Sequence, residues 1–272
     1  MAQRQLARRL RELREEAGLT LEEAAPKVDW STSKLGRIET ARQGVDVHGV
    51  RSMLDLYGVG GDRWTELVEL AREARQKGWW HNHGIQPQGY PRLESDAAVV
   101  HEYQLAYMPG LLQTEDYMRA LFHASPLRPS AAQIDHDVRV RTLRQDRLTG
   151  QPPLELVAIV DESALRRPIG GRDVLRAQLR YLVQRAALPS VCFQVLPAAL
   201  GPHPGLDGGF LVLGFDEPGE PEIAYIEHSV TAMQLTRDGD VAPCRLLFDR
   251  LRSEALSPPD SVALVERLAG EL

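Results

Sequence analysis

Ser31, Thr32, Ser33 and Lys34 follow one another, and Arg37 comes one helical turn later. Hydroxyls and an ammonium suit phosphate oxygens. A guanidinium makes a two-pronged contact with a guanine edge, worth about 1–3 kcal/mol of base discrimination. Lys34, a flexible point charge, fits a phosphate, and Arg37, a rigid fork, fits a base. Thr20 before this segment and Arg42 after it complete the set expected to face nucleic acid.

Those side chains need a scaffold. Leu6, Leu10, Leu13 and Ala17 repeat as one buried helical face, and Gly18 is a plausible stop. Thr20-Leu21-Glu22-Glu23 has the form of a capping box. Ala24, Ala25 and Val28 give that short helix its apolar side, and Pro26 limits its length. Ser31 is the next N-cap, with Trp30 and Leu35 placed as a hydrophobic staple. Leu35 and Ile38 then face inward and Thr32, Ser33, Lys34 and Arg37 outward. Further helices carry Val47, Val50, Leu54 and Tyr57, then Trp64, Leu67, Val68 and Ala71. Helices over 20–28 and 32–40 joined by a tight turn describe a helix-turn-helix. Its second helix fits a major groove about 12 Å wide. A single head of this kind binds weakly, so a homodimer on double-stranded DNA is expected, with two heads about 34 Å apart on a roughly palindromic site.

The run GLTLEEAAPKVDWSTSKLGRIETARQGV resembles the five-helix domain of phage-repressor and xenobiotic-response-element (XRE) regulators. The resemblance implies DNA contacts at Thr32, Ser33, Lys34 and Arg37. Leu21 stands where that family usually has Gln, which removes a phosphate contact. Gly36 replaces a small Ala or Ser, and Pro26 a common helical residue. YMPGLLQTEDYMRALF, DESALRRPIGGRDVLRAQLRYL and HPGLDGGFLVLGF with AYIEH resemble the uncharacterised C-terminal domain of many actinobacterial helix-turn-helix regulators. WhiJ-like and antitoxin-like proteins belong to that group. The resemblance implies transcriptional control, as a repressor in the phage-type case, and a small protein partner encoded nearby.

The chain has 272 residues, enough for two domains, with the balance of an ordinary globular protein. Residues 1–80 hold 14 basic and 13 acidic residues, and 81–272 hold 18 and 25. An acidic body with a near-neutral head argues against wrapping nucleic acid over the whole surface. The expected organisation is an all-α five-helix helix-turn-helix domain at 1–77, a Gly- and Pro-rich linker at 78–92, and an α+β domain with a mixed sheet at 93–272 for regulation, dimerisation or partner binding. Strand-length apolar runs lie at 99–107, 154–160, 191–196, 209–215 and 223–228. Helical patterns lie near 114–124, 131–148, 172–187, 240–256 and 260–270.

Other chemistry in the second domain is sparse. No lysine follows Lys77, so neither a Ser–Lys self-cleaving pair nor a Walker-type loop is available there. His203, Asp207, Glu227 and His228 would meet if their strands pair as neighbours, forming a ligand or partner pocket, though a loop held by its own hydrogen bonds uses the same residues. Asp161-Glu162-Ser163 reads as a helix cap. Arg139, Arg141, Arg144 and Arg147 of 131–148 lie beside Asp135, Asp137 and Asp146, and such mixed signs suit a solvated helix. No catalytic residue, metal site or cofactor is expected. Two cysteines without a CxxC pair, no secretory signal and no membrane-length apolar run lead to a cytoplasmic protein. The expectation is a sequence-specific DNA-binding transcriptional regulator whose second domain dimerises and receives a signal. The alternatives are an antitoxin-like module that sequesters a small protein, and a small-molecule-sensing regulator.

Overall fold

The computed structural model describes residues 2–41, 43–74, 90–125, 130–216, 219–228 and 230–272. Chain contacts divide it into two units, Met1–Gln88 and Gly89–Leu272.

The first unit is all helical: α1 (Ala2–Glu16), α2 (Leu21–Ala24), α3 (Thr32–Glu39), α4 (Val47–Leu56) and α5 (Gly61–Ala74). Local chemistry starts three of them. Thr20 and Glu23 form the reciprocal capping box at α2, the Ser31 hydroxyl accepts from Lys34 N–H at α3, and Asp46 accepts from Gly49 N–H at α4. Pro26 does not end the second helix outright. The chain tightens into a 3₁₀ turn over Ala25–Val28 and leaves through Asp29 in the left-handed region, at φ 56°. Leu6, Leu10 and Leu13 meet Ala24, Val28, Leu35, Ile38, Val50, Leu54, Leu67 and Ala71 in one core. Ala17, expected on that face, is exposed, because α1 has already ended at Glu16.

The second unit starts with α6 (Tyr90–Asp96), which reaches into the stretch expected to be linker. It is α+β and built on one mixed sheet. The strands are β1 (Val99–Gln104), β2 (Glu155–Asp161), β3 (Val191–Leu196), β4 (Phe210–Gly214), β5 (Ile223–Glu227) and β6 (Ala232–Leu235), in the order β3-β2-β1-β4-β5-β6. The first three run parallel and β4, β5 and β6 are antiparallel to their neighbours. The parallel links carry α7 (Glu115–His123) and α8 (Ala131–Gln145), then α9 (Glu162–Arg166) and α10 (Arg172–Ala186). The chain closes with α11 (Asp238–Glu254) and α12 (Pro258–Glu271).

Alternation along the strands sends Val100, Leu156, Ala158, Val160, Phe193, Leu211 and Leu213 into a core with α7, α10 and α12. Tyr103, Ile159, Phe210, Val212 and Ala224 enter a core on the other face with Val241, Phe248 and Leu251 of α11. Two ionisable neighbours on β1 are buried, one on each face. Burial pushes the Glu102 carboxyl up to about 7 against one hydrogen bond from Gln104. Burial and then the Arg245 charge push His101 down to about 4.

Candidate nucleic-acid interface

Helix α3 is short and tightly held. Leu35 and Ile38 are buried in the first core, whereas Ser31, Ser33 and Arg37 are exposed and Thr32 and Lys34 half-exposed. The helix therefore turns one face inward and leaves the sequence-predicted side chains on the other. Arg37 Nε donates to Gln43 Oε1 at 3.0 Å, and Gln43 N–H donates to the Arg37 carbonyl at 3.0 Å. A glutamine in the following loop thus engages Nε, and among the described residues no carboxylate pairs with Arg37. Lys34 Nζ sits 4.0 Å from the centre of the Trp30 ring. The edge of that ring lies where a β-carbon on Gly49 would have to be, 2.8 Å away. Trp30 packs on the core that also takes Leu35, as a staple requires.

Two other expected contact residues serve the helix ends. The Thr20 hydroxyl accepts from Glu23 N–H, and the Thr20 backbone N–H and hydroxyl both donate to the Glu23 carboxylate, at 2.9 and 3.0 Å, holding that carboxyl below its ordinary value. Ser31 is the N-cap of α3. Arg42 lies outside the described residues.

What fixes α3 was missed in the sequence. Arg14 Nε and Nη2 donate to the two oxygens of Glu39 at 2.8 and 2.9 Å, and Nη1 donates to the Leu19 carbonyl at 2.7 Å. The two side chains are 8% and 3% exposed. One guanidinium thus joins α1, the turn into α2 and the end of α3, and its bond to Glu39 raises its already high pKa. Arg14 sits next to the apolar stripe in sequence, and its partner is 25 positions away. No local spacing announces the pair.

In the second unit the expected cluster forms differently. His203, Asp207, Glu227 and His228 all lie toward one end of the sheet, since Leu211 is in register with Tyr225. The recorded partner of His203, however, is Asp161, at 3.3 Å, while Asp207, Glu227 and His228 are exposed. Asp161 was read as a cap and does cap α9, accepting from Ser163 N–H at 2.8 Å. Its second oxygen takes the histidine. Tyr103 stands edge-on to His203, with ring centres 6.4 Å apart. The Tyr103 hydroxyl and His203 Nδ1 are buried with no hydrogen-bond partner among the described residues. Burial and then the Asp161 charge push the Tyr103 hydroxyl up. Gly205 presses on this tyrosine so closely that a β-carbon would lie 2.7 Å from its oxygen.

The arginines of α8 also depart from expectation. Arg144 is buried and bonds both oxygens of Glu94 on α6, at 2.7 and 2.6 Å, and Arg141 donates to Gln113 at 2.6 Å. Arg147, just past the helix, donates to the Ala97 carbonyl at 2.8 Å. These side chains staple α8 to its neighbours instead of only facing water. An open cleft of about 760 Å³ in the first unit, lined by residues that include Gln5, Arg9, Asp62 and Glu66, holds none of the residues singled out from the sequence. Among the described residues no group of His, Cys, Asp or Glu is arranged to hold a metal ion, and no helix is long and apolar enough to cross a membrane.

A capped pair of short helices, the second showing a polar and basic face, defines a helix-turn-helix protein of the DNA-binding regulator class. The family comparison agrees: residues 5–67 match the model described as a helix-turn-helix domain. Residues 88–267 match the domain of unknown function DUF5753, and the chain belongs to that family. Neither a curated protein nor a solved structure matches it.

Proposed function

We propose that this chain is a transcriptional regulator of the XRE type, binding as a homodimer to a near-palindromic operator. In this reading Thr32, Ser33, Lys34 and Arg37 of α3 enter the major groove and Ser31, Thr20 and Arg42 approach the backbone. The observation that carries the reading is the two-sidedness of α3. Leu35, Ile38 and Glu39 are buried, and Ser33 and Arg37 face out. The contact with Gln43 uses Arg37 Nε and leaves its two terminal nitrogens for O6 and N7 of one guanine. The second unit is read as a dimerising receiver of a protein or small-molecule signal, without catalytic activity. Support for that part is the lack of lysine after Lys77 and the placement of His203, Asp161 and Tyr103 within the packing of the sheet end.

The test is capture of genomic fragments by the full chain, sequencing of what is retained, and titration of the best site against salt. Specific binding with a steep salt dependence is expected. Arg37→Ala should cost roughly 5- to 150-fold at one base pair per half-site, the equivalent of a lost guanine fork. Retained base preference in that variant overturns the assignment of Arg37. A salt-insensitive association overturns the reading itself.

A further inference from the structure

The sheet of the second unit has two outer edges, and they are finished differently. Along β3 the edge is closed. Leu256 N–H donates to the Val195 carbonyl and Val195 N–H donates to the Ser261 hydroxyl, both at 2.9 Å. Gln194 adds a side-chain bond to the Leu256 carbonyl at 2.9 Å. Along β6 no further strand is present among the described residues, and Ala232, Met233 and Gln234 are exposed.

The pairing of β6 with β5 decides which backbone groups point outward. His228 N–H donates to the Thr231 carbonyl at 2.8 Å, so these two residues form a hydrogen-bonded pair. Such pairs alternate along an antiparallel ladder. In the observed register the next ones are Ile226 with Met233 and Ala224 with Leu235. The N–H and C=O groups of Ala232 and Gln234 therefore face away from the sheet.

An open edge is a template for another strand, and proteins ordinarily guard it with lysine, proline or a bulge. The run Val230–Thr236, V-T-A-M-Q-L-T, has no charge, no proline and no glycine. It belongs to a stretch, 81–272, with 18 basic and 25 acidic residues. Two such acidic bodies carry a net repulsion, and a neutral strip is where they approach at least cost. The outward groups also suit a two-fold axis. With Gln234 opposite its own copy, Ala232 falls opposite Thr236, and each of these pairs exchanges two backbone bonds. Met233, 49% exposed, then lies beside Leu235 of the second copy, on the sheet face that α11 covers elsewhere.

We infer that β6 is the surface through which two copies of this chain join, edge to edge and antiparallel, about a two-fold axis at Gln234. The inference deepens the homodimer of the proposed regulator by giving it a place and a register. Strand pairing over so few residues is small beside the roughly 1,200–2,000 Å² of a stable interface. The dimer is accordingly weak, and two half-sites on one DNA tighten it by raising the effective concentration.

The experiment is sedimentation of the full chain without DNA across the micromolar range, with two variants. Gln234→Lys sets two ammonium groups face to face across the axis. Ala232→Pro removes an outward N–H while leaving the ladder to β5 intact. Both are expected to be monomeric, with the circular dichroism and melting of the unaltered chain. Gln234→Cys, made with Cys192→Ser and Cys244→Ser, is expected to cross-link under mild oxidation, because Cα atoms of a hydrogen-bonded pair lie about 5.5 Å apart. A monomeric unaltered chain, a dimer that ignores both edge variants, or an edge taken by a strand of a different protein overturns the proposal. Assembly is read without DNA, so such a failure leaves operator binding standing, and loss of operator binding leaves the edge standing.

Discussion

Cutting the Arg14–Glu39 pair is the sharpest test of how α3 is held. Arg14→Met leaves the Glu39 carboxylate, 3% exposed, without the two nitrogens that meet its oxygens at 2.8 and 2.9 Å. It also strips the Leu19 carbonyl of its 2.7 Å donor. Removing one member of a buried pair costs about 3–5 kcal/mol, chiefly through the charge left behind. Glu39→Met strands the guanidinium instead. The double variant leaves no buried charge and is expected to recover at least about 2 kcal/mol of the summed single losses, the sign of direct coupling. The assay is native-state amide exchange on the full chain. In either single variant the amides of α1 and α3 should lose protection by roughly 150- to 5,000-fold, the same free energy expressed as an opening constant. Amides of α10 and α12 act as the internal control and should not move. A loss below about 1 kcal/mol, additive single effects, or equal loosening of both units would refute the idea that this guanidinium pins α3.

Further perturbations follow from particular contacts. His101, held near 4, stays neutral in the fold while the unfolded chain takes a proton, so it removes stability as pH falls from about 6.5 to 4. Glu102, held near 7, stays protonated in the fold while the unfolded chain has lost its proton, so it removes stability as pH rises from about 4.5 to 7. Each shift corresponds to about 3 kcal/mol, and between about pH 4.5 and 6.5 their slopes oppose. Urea titrations across pH should give a Glu102→Gln minus wild-type difference that climbs from pH 4.5 to 7, and a His101→Gln difference that climbs from 7 down to 4. Flat difference curves would contradict both assignments. In the first unit, Gly36→Ala meets only Leu21 at 3.9 Å and should stabilise by about 0.5–1 kcal/mol through helix propensity. Gly49→Ala meets the Trp30 ring at 2.8 Å and should destabilise by about 1–3 kcal/mol; thermal melts with equal signs for both would be wrong for this packing.

The first unit was legible because its signals act over four residues. Thr20 with Glu23, Ser31 with Lys34, and the Leu6–Leu10–Leu13 stripe can be read by counting, and the helices stand where counting puts them. Five strands of the sheet were legible as apolar runs. β6 was not: A-M-Q-L at an open edge has little apolar surface to bury and so no run to see. The order of strands could not be read either. That β1 lies between β2 and β4 is decided by packing of helices on both faces. The first three residues of α6 fall in the stretch expected to be linker because Pro91 and the glycines before it read as punctuation. A proline in the first turn of a helix loses no hydrogen bond, however, and the helix begins at Tyr90.

The contacts that escaped the sequence join residues far apart in the chain, and two of the three are two-pronged ion pairs. Arg14 with Glu39, Arg144 with Glu94 and His203 with Asp161 are separated by 25, 50 and 42 positions. Each ties down one element: the end of α3, the short α6, and the 3₁₀ turn over Pro204–Asp207. Apolar contacts tolerate sliding, because one methyl group replaces another. A two-pronged ion pair does not, since a shift of about an ångström breaks directional bonds and leaves a charge in a medium that cannot solvate it. Burying such a pair is a poor route to stability and an effective route to a single register. For α3, register is the property that the proposed function depends on, because it sets the angle at which Ser33 and Arg37 leave the surface. Of the residues expected to face DNA, Ser31, Ser33 and Arg37 are exposed and Thr32 and Lys34 half-exposed, and the pair that holds their helix, Arg14 with Glu39, is buried beneath them.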